Sequence, residues 1–377
     1  MALGRFFSRL FGCFANGDDN PITSIRGFKG NKYNHYHWEK KLARHLYGQY
    51  SMALAQANVQ FEDRCQLESG PLSNIIPNGP TGVFVGVYDG HGGDRCSQFV
   101  LDNLFNDLKT AITNQHGHEV NSVVIQQAYL RTENKFLRHV RLIWQLLNYW
   151  KMATMGSCCL SGVVHDNKLY VANAGDSRAV VARWADGEEQ PQVIQLSTDY
   201  NANDRDRRQE LRAEHPNDPD LFRLSNGRWR VRDRTEVTRS IGAVYLKYNE
   251  FNRFPLEDRF RMQQPIVRPI LKAEPTVQTH DLEPNDRFVI FGSGGLWREV
   301  TNEEAVSIVK TSSRSGAARA LLKAALDKAS NRHNLEYRDL INLPLDVKRY
   351  HHDDISIVIL FFDELPEPVI DQTVSLE

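Results

Sequence analysis

Short apolar runs, grouped around pairs of amphipathic helical segments, constrain this chain more than any other feature. Runs at Ser51–Ala57, Val83–Tyr88, Gly156–Val164, Lys168–Asn173, Arg178–Trp184, Arg287–Phe291 and Ile355–Phe362 read as strands, most bounded by Gly, Asp or Asn. One helical pair lies between Val83–Tyr88 and Gly156–Val164. In its first member Val100, Leu104, Leu108 and Ile112 form an i, i+4 stripe. In its second the stripe is Val124, Ala128, Tyr129, Phe136 and Val140, interrupted by Thr132. Another pair, Asn302–Lys310 and Gly316–Ala329, follows the strand at Arg287–Phe291. Strands clustered before and after helix pairs, without strict βαβ alternation, predict an α+β sandwich rather than a doubly wound parallel sheet.

The pattern is continuous from Tyr47, which predicts one domain over residues 46–364 after an N-terminal extension, 1–45, that is polar and irregular over 15–45. Residues 195–270 hold a dense charge mixture without long periodic runs and read as a flap laid over the sheets. The acidic, Pro-containing tail 365–377 is expected to be disordered. A formal net charge of −1 gives no global field for attracting nucleic acid. The 5 cysteines are odd in number and lack CxxC spacing, which points to buried thiols in a reducing, intracellular compartment, cytoplasm or nucleus. No apolar run approaches the length of a membrane-crossing helix.

In MALGRFFSRLFGCF, residues 1–14, Leu3, Phe6, Phe7, Leu10 and Phe14 recur at helical spacing, with Arg5, Ser8 and Arg9 between them. Three readings stay open: a basic amphipathic helix on an anionic membrane surface with Cys13 available for acylation, an organelle-targeting segment, or a leader that packs on the body or is disordered.

Several carboxylates stand at predicted strand edges. VFVGVYDGHGGDR runs an apolar strand straight into Asp89, Gly90 and His91, where glycine lets a carboxylate and a backbone carbonyl face one ion. Glu62 and Asp63 lie in QANVQFEDRCQ, Asp176 in ANAGDSRAV, and Asp353 and Asp354 in HHDDISIVIL. Taken singly, each reads as an ordinary turn or helix-cap acid. Together they form a set of hard oxygen donors suited to Mg²⁺ or Mn²⁺, and such a cluster repels itself unless cations enter it. His91 is a candidate general acid beside that centre. His351 and His352 have no companions at zinc spacing and read as outer or surface residues.

In this order YDGHGG, MGSCCLSGVV, ANAGDSRAVVAR, TRSIGAVYLK, the GLW element and HHDDISIVIL resemble the metal-dependent protein serine/threonine phosphatases of type 2C. YGQYSMALAQAN, LESGPLS, LRAEHPNDPD and AEPTVQTH resemble a plant branch of that family. The likeness runs from about Tyr47 to Phe362. It implies a four-layer α/β/β/α sandwich of two antiparallel sheets flanked by helices, with two Mg²⁺ or Mn²⁺ ions in a cleft at one end. It further implies that Asp89 bridges the ions, that the Gly90 carbonyl and Asp353 are direct ligands, and that Glu62 and Asp63 hold coordinated waters. By the same likeness Asp176 belongs to a weaker accessory metal site and His91 donates a proton. The implied activity is in-line attack of an activated water on phosphoserine or phosphothreonine proteins, by a monomeric enzyme. For partners, the plant branch implies small inhibitor proteins and a link to membrane proton pumps.

The chain departs from the family pattern at four positions. Gly294, in FGSGGLWREV, stands where the resemblance places a ligand aspartate, and Arg298 where it places an acid near the accessory site. Ala243 replaces the aspartate of the RSIGD element, and Asn58 stands where many members outside the plant branch have a phosphate-binding arginine. Losing an outer partner of a metal site costs roughly 10–100-fold, and losing a direct ligand at least that. Two expectations follow: a phosphatase of impaired activity or, alternatively, a pseudophosphatase that binds phosphoproteins or regulators without turnover.

Overall fold

The computed structural model describes residues 24–26, 37–75, 79–184 and 187–363. The segment 1–14 and the tail 365–377, with the readings attached to them, lie outside the described residues.

The apolar runs become strands of two antiparallel sheets. One is ordered β1 (Ser24–Arg26), β4 (Arg64–Pro71), β5 (Thr81–His91), β6 (Gly156–His165), β7 (Lys168–Ala174) and β13 (Thr276–Asp281), with β12 (Ile241–Gly242) also paired to β6. The other is ordered β2 (His37–His45), β3 (Gly48–Ala55), β15 (Ile355–Phe362), β14 (Asp286–Gly292), β8 (Arg178–Arg183) and β9 (Gln192–Gln195). Helices α1 (Arg95–Asn114) and α2 (Ser122–Leu147) cover the first sheet; α3 (Asn302–Thr311) and α4 (Ala317–Arg332) cover the second. The result is the expected α/β/β/α sandwich.

Central strands read as apolar throughout because both of their faces are buried. Along β15, Ile355, Ile357, Ile359 and Phe361 pack with α3 and α4, whereas Val358, Leu360 and Phe362 fill the space between the sheets. On β5, Phe84 and Tyr88 face α1 and α2, while Val83, Val85 and Val87 point inward. Burying each such side chain stabilises the fold by roughly 1.5–3 kcal/mol. At Gly162 of β6 the layers approach closely: a β-carbon there would lie 2.4 Å from the Phe291 ring.

The helices sit as their stripes predict, and α2 and α3 carry side-chain caps at their N-termini. The Asn121 side chain accepts from the amides of Val123 and Val124, and Thr301 with Glu304 forms a capping box on α3, each worth about 1 kcal/mol. The interruption at Thr132 is a polar tie between helices. Its hydroxyl donates to buried Asp107 of α1 at 2.9 Å, and Lys135 reaches the same carboxylate at 2.5 Å.

Several strands were not among the expected runs, β13 and β9 among them, and two of these are instructive. HWEKKLARH, read as part of an irregular extension, is β2, paired along β3 at the sheet edge. Edge strands carry charges that resist pairing with other chains, so its composition resembled a loop. RCQLESGP was not among the expected strands and is β4; its Gln66 and Glu68 are buried and bond each other at 2.8 Å. The stretch 195–270 contains a helix at Arg205–Glu214, the hairpin of β10 (Phe222–Ser225) and β11 (Arg228–Val231), and short 3₁₀ turns. Leu211, Leu246, Phe251 and Leu256 anchor it to the core beneath α1 and α2. A buried Lys247–Glu133 pair at 2.8 Å, with Glu133 also accepting from the Gly242 amide, fixes it beside β6.

Candidate active site

The acidic residues reach one end of the sandwich from both sheets. Asp89, Gly90 and His91 finish β5, and Glu62 and Asp63 lead into β4. Asp176 sits in the turn from β7 to β8, Asp353 and Asp354 precede β15, and Gly294 opens a one-turn helix, Gly294–Trp297, after β14. The Gly294 amide donates to Asp89 Oδ2 at 3.0 Å. A β-carbon at Gly294 would stand 3.0 Å from Asp176 Oδ1 and 3.2 Å from Asp89 Oδ2. These contacts tie three chain segments into one cluster.

Asp354 builds the loop that carries Glu62 and Asp63. Its Oδ1 accepts from the amides of Ala57 at 2.7 Å and Asn58 at 2.9 Å, and its Oδ2 accepts from Glu62 N at 2.7 Å. Three amide donors to one buried carboxylate are charge-assisted bonds that fix the loop's path. Asn58 thus contributes its backbone to the site's frame.

Charge is distributed unevenly across the cluster. Asp63 is 1% exposed, and neither of its carboxylate oxygens has a hydrogen bond of regular geometry among the described residues. Burial and then the charge of Asp354 push its pKa well above the usual carboxylate range, although the Ser356 and Ser293 hydroxyls oppose this. Burial also raises Asp89, reinforced by Asp63, Asp353 and Asp176, and raises Glu62 to about 7, reinforced by Asp354. Asp353 is different. Burial alone would push it up, but the guanidiniums of Arg298 and Arg349 hold it below the usual carboxylate value. Arg298 Nη1 lies 2.6 Å from Asp353 Oδ2, its Nη2 3.9 Å from Asp176 Oδ2, and Arg349 Nη1 2.5 Å from Asp353 Oδ1. Asp176 is held further by Asn201 Nδ2 at 2.8 Å.

The remaining candidates divide. His91 lies deep beside β6, where a β-carbon on Gly156 would come within 2.3 Å of its Nε2, and that nitrogen is buried without a partner. Burial lowers its pKa to about 4, so the ring is neutral at neutral pH. As a proton donor it therefore needs a neighbouring anion to raise it. Ala243 adopts the left-handed conformation (φ 46°) with its amide bonded to Met155 O at 2.7 Å, and it packs near Gly156. His352 contacts the Asp353 carbonyl at 2.7 Å, and His351 stacks edge-on against His333. Residues overlooked in the sequence are Arg349 and Asn201. Arg349 stands four before Asp353, a spacing that is visible only once that turn is known to be compact.

The cluster can be tested against the hard cation that its chemistry invites. Among the described residues no group of three or more His, Cys, Asp or Glu side chains is arranged to hold a metal ion by itself. At the Asp63–Asp89 end the donor set nevertheless fits a hydrated cation: two carboxylates carry raised pKa values, Asp63 is without a regular bond, and Mg²⁺ keeps most of its waters. At the other end the fit fails. Both Asp353 oxygens are engaged by guanidiniums, and Gly294 offers no carboxylate.

The sequence profile of the family described as "Protein phosphatase 2C" matches residues 51–334. "Probable protein phosphatase 2C 79" of Arabidopsis thaliana is 44% identical over 361 residues, covering 96% of this chain and 92% of the relative. "Probable protein phosphatase 2C 28" of Oryza sativa subsp. japonica is 43% identical over 327 residues, covering 86% and 80%. Among solved structures, the serine-threonine phosphatase 2C from Toxoplasma gondii superposes with a TM-score of 0.58 at 16% identity, covering 87% of this chain and 99% of that one. A Caenorhabditis elegans sex determining protein gives 0.59 at 17%, covering 84% and 65%. At such identities these two structures speak to the fold alone.

Proposed function

The chain belongs to the protein phosphatase 2C family, and from that premise we propose that it is a metal-dependent serine/threonine protein phosphatase whose metal centre is weakened at one end. The observation that carries this reading is the buried carboxyl pair Asp63–Asp89 beside the Gly90 carbonyl: burial makes ionising both costly unless a cation supplies the counter-charge. Asp89 and the Gly90 carbonyl would hold Mg²⁺ or Mn²⁺ directly, with Glu62 and Asp63 facing its waters. The bound ion would supply Lewis acidity for hydrolysis of a phosphate monoester. Arg298 offers a fixed positive charge to phosphoryl oxygens from the opposite side. His91, neutral in the resting cleft, takes up a proton as the phosphate dianion raises its pKa, and can return it to a leaving alkoxide.

A second reading, a pseudophosphatase that binds phosphoproteins without turnover, is favoured by the Arg298–Asp353 contact at 2.6 Å and by Gly294. The two separate in one experiment. The full chain is assayed on a phosphothreonine peptide with Mn²⁺ or EDTA, alongside Gly294→Asp, with Mn²⁺ affinity measured by calorimetry. Slow, EDTA-sensitive turnover is expected, and Gly294→Asp should tighten Mn²⁺ roughly tenfold or more. No turnover by either protein despite bound Mn²⁺ establishes the second reading, and turnover indifferent to EDTA sinks the first. In the same proposal the protein is a monomer inside the cell. Small inhibitor proteins are its regulators, and residues 1–14 are able to touch a membrane surface. Unchanged sedimentation with membranes after deleting that segment would remove the last element.

A further inference from the structure

Beside His91 the flap and the short helix Lys151–Thr154 line a half-open cavity of about 330 Å³, a volume within the usual range of ligand sites. Its lining includes Lys151, Arg234 and Arg259, and no acidic side chain contributes to it. The floor is aromatic: the Trp150 and Phe260 rings lie 5.6 Å apart, and the Arg234 and Arg259 guanidiniums sit 5.3 and 4.9 Å from the Phe260 centroid. Arg259 has an exposed acidic partner, Glu257, at 2.7 Å. Arg234 and Lys151 have no ion pair among the described residues, and Arg234 Nε is buried with no acceptor. His91 Nε2, on the wall shared with the carboxylate cleft, is likewise buried and unpartnered.

Two orphaned polar nitrogens, of which one carries positive charge, are costly in a buried wall unless something fills the space. Cations held over aromatic rings keep their charge while their faces are desolvated, which strengthens any anion bond they make. We propose that this cavity is an anion subsite that receives a second carboxylate- or phosphate-bearing side chain from the same substrate segment whose phosphorylated residue enters the Asp89 cleft. The protein thereby selects acidic or multiply phosphorylated segments over neutral ones. The proposal rests on the reading of that cleft as acting on phosphoproteins, but the subsite's own affinity does not require catalysis or a metal.

Its test is therefore a binding measurement on the full chain in EDTA. Three labelled peptides of equal length are titrated by fluorescence anisotropy: one rich in Glu, one with Gln at the same positions, and one with a phosphothreonine in place of a central Glu. The Glu peptide is expected to bind about tenfold or more tighter than the Gln peptide, and the phosphorylated one tighter again if phosphate is the preferred anion. Arg234→Ala and Lys151→Ala should each reduce that preference, Arg234→Lys should retain part of it, and Lys323→Ala on α4 should leave it intact. Lys151 is exposed, so its variant decides the matter if Arg234→Ala proves unfolded. Equal affinities for the Glu and Gln peptides, or a preference left undiminished by Lys151→Ala, overturn the proposal. A preserved preference in a protein without turnover would instead separate this subsite from the fate of the phosphatase reading.

Discussion

Asp63 and Asp353 are neighbours in one cluster, yet the protein treats their charges in opposite ways. Asp63 is buried with no ion pair among the described residues, and its proton is held tightly. Asp353 has two guanidiniums on its two oxygens and stays ionised below the usual carboxylate range. One half of the cleft depends on solvent for a counter-charge, and the other carries its own. Arg298 is the residue that makes the difference. A guanidinium placed on Asp353 converts a position that would otherwise depend on a bound ion into an internally neutralised one.

The strongest way to break that comparison is Arg298→Ala. Without it, Asp353 keeps only Arg349, and Asp176 loses its nearest positive charge. Unfolding in EDTA should become easier by about 2–3 kcal/mol, less than for a fully buried pair because the Arg298 side chain is 31% exposed. Added Mn²⁺ should restore much of the loss and bind more tightly than to the unmodified chain. Unchanged denaturation midpoints and Mn²⁺ affinity would show that Arg298 does not neutralise the site.

A titration sharpens the contrast next. Glu62 has a folded pKa of about 7 against an ordinary 4.5, so the folded state favours its protonated form. Its contribution is fully present below 4.5 and is lost as pH rises to about 7, with a slope of up to about 1.4 kcal/mol per pH unit. Asp353, with its lowered pKa, contributes in the reverse sense: its stabilisation holds above the ordinary carboxylate value and is lost only as pH falls below it. Glu62→Gln should flatten the fall of metal-free stability across pH 4.5–7, seen in urea denaturation series. A series that keeps the same slope would place the raised pKa elsewhere.

The smallest effect belongs to Arg349→Ala. Its side chain is 45% exposed and Asp353 retains Arg298, so the change in stability should stay below about 1 kcal/mol. A loss as large as that of Arg298→Ala would mean that the two guanidiniums share the work equally.

Much of this architecture is legible in the sequence because period and apolar content report burial. The β5 and β15 runs and the α1 stripe needed nothing more. β2 and β4 escaped for opposite reasons: one is a charged edge, and the other buries Gln66 and Glu68 as a bonded polar pair, so neither follows the apolar alternation. In the site, the DGH turn and the paired aspartates stand out because acids at the ends of apolar strands are chemically conspicuous. The destination of Arg298 was not readable, since direction depends on the one-turn helix at Gly294–Trp297 and on Arg349, contributed from another segment. The anion subsite was equally hidden, its lining being drawn from stretches far apart in the chain that share no motif.

The bonds from Asp354 to the amides of Ala57, Asn58 and Glu62 span nearly the whole chain, and β15 lies between β3 and β14 in its sheet. During synthesis the first-made strand of that trio must wait for the last-made one before the loop bearing Glu62 and Asp63 can settle. A nascent chain halted just short of residue 353 would therefore hold most of its helices and still present no organised cleft, so the site is born only when β15 is made rather than with early collapse.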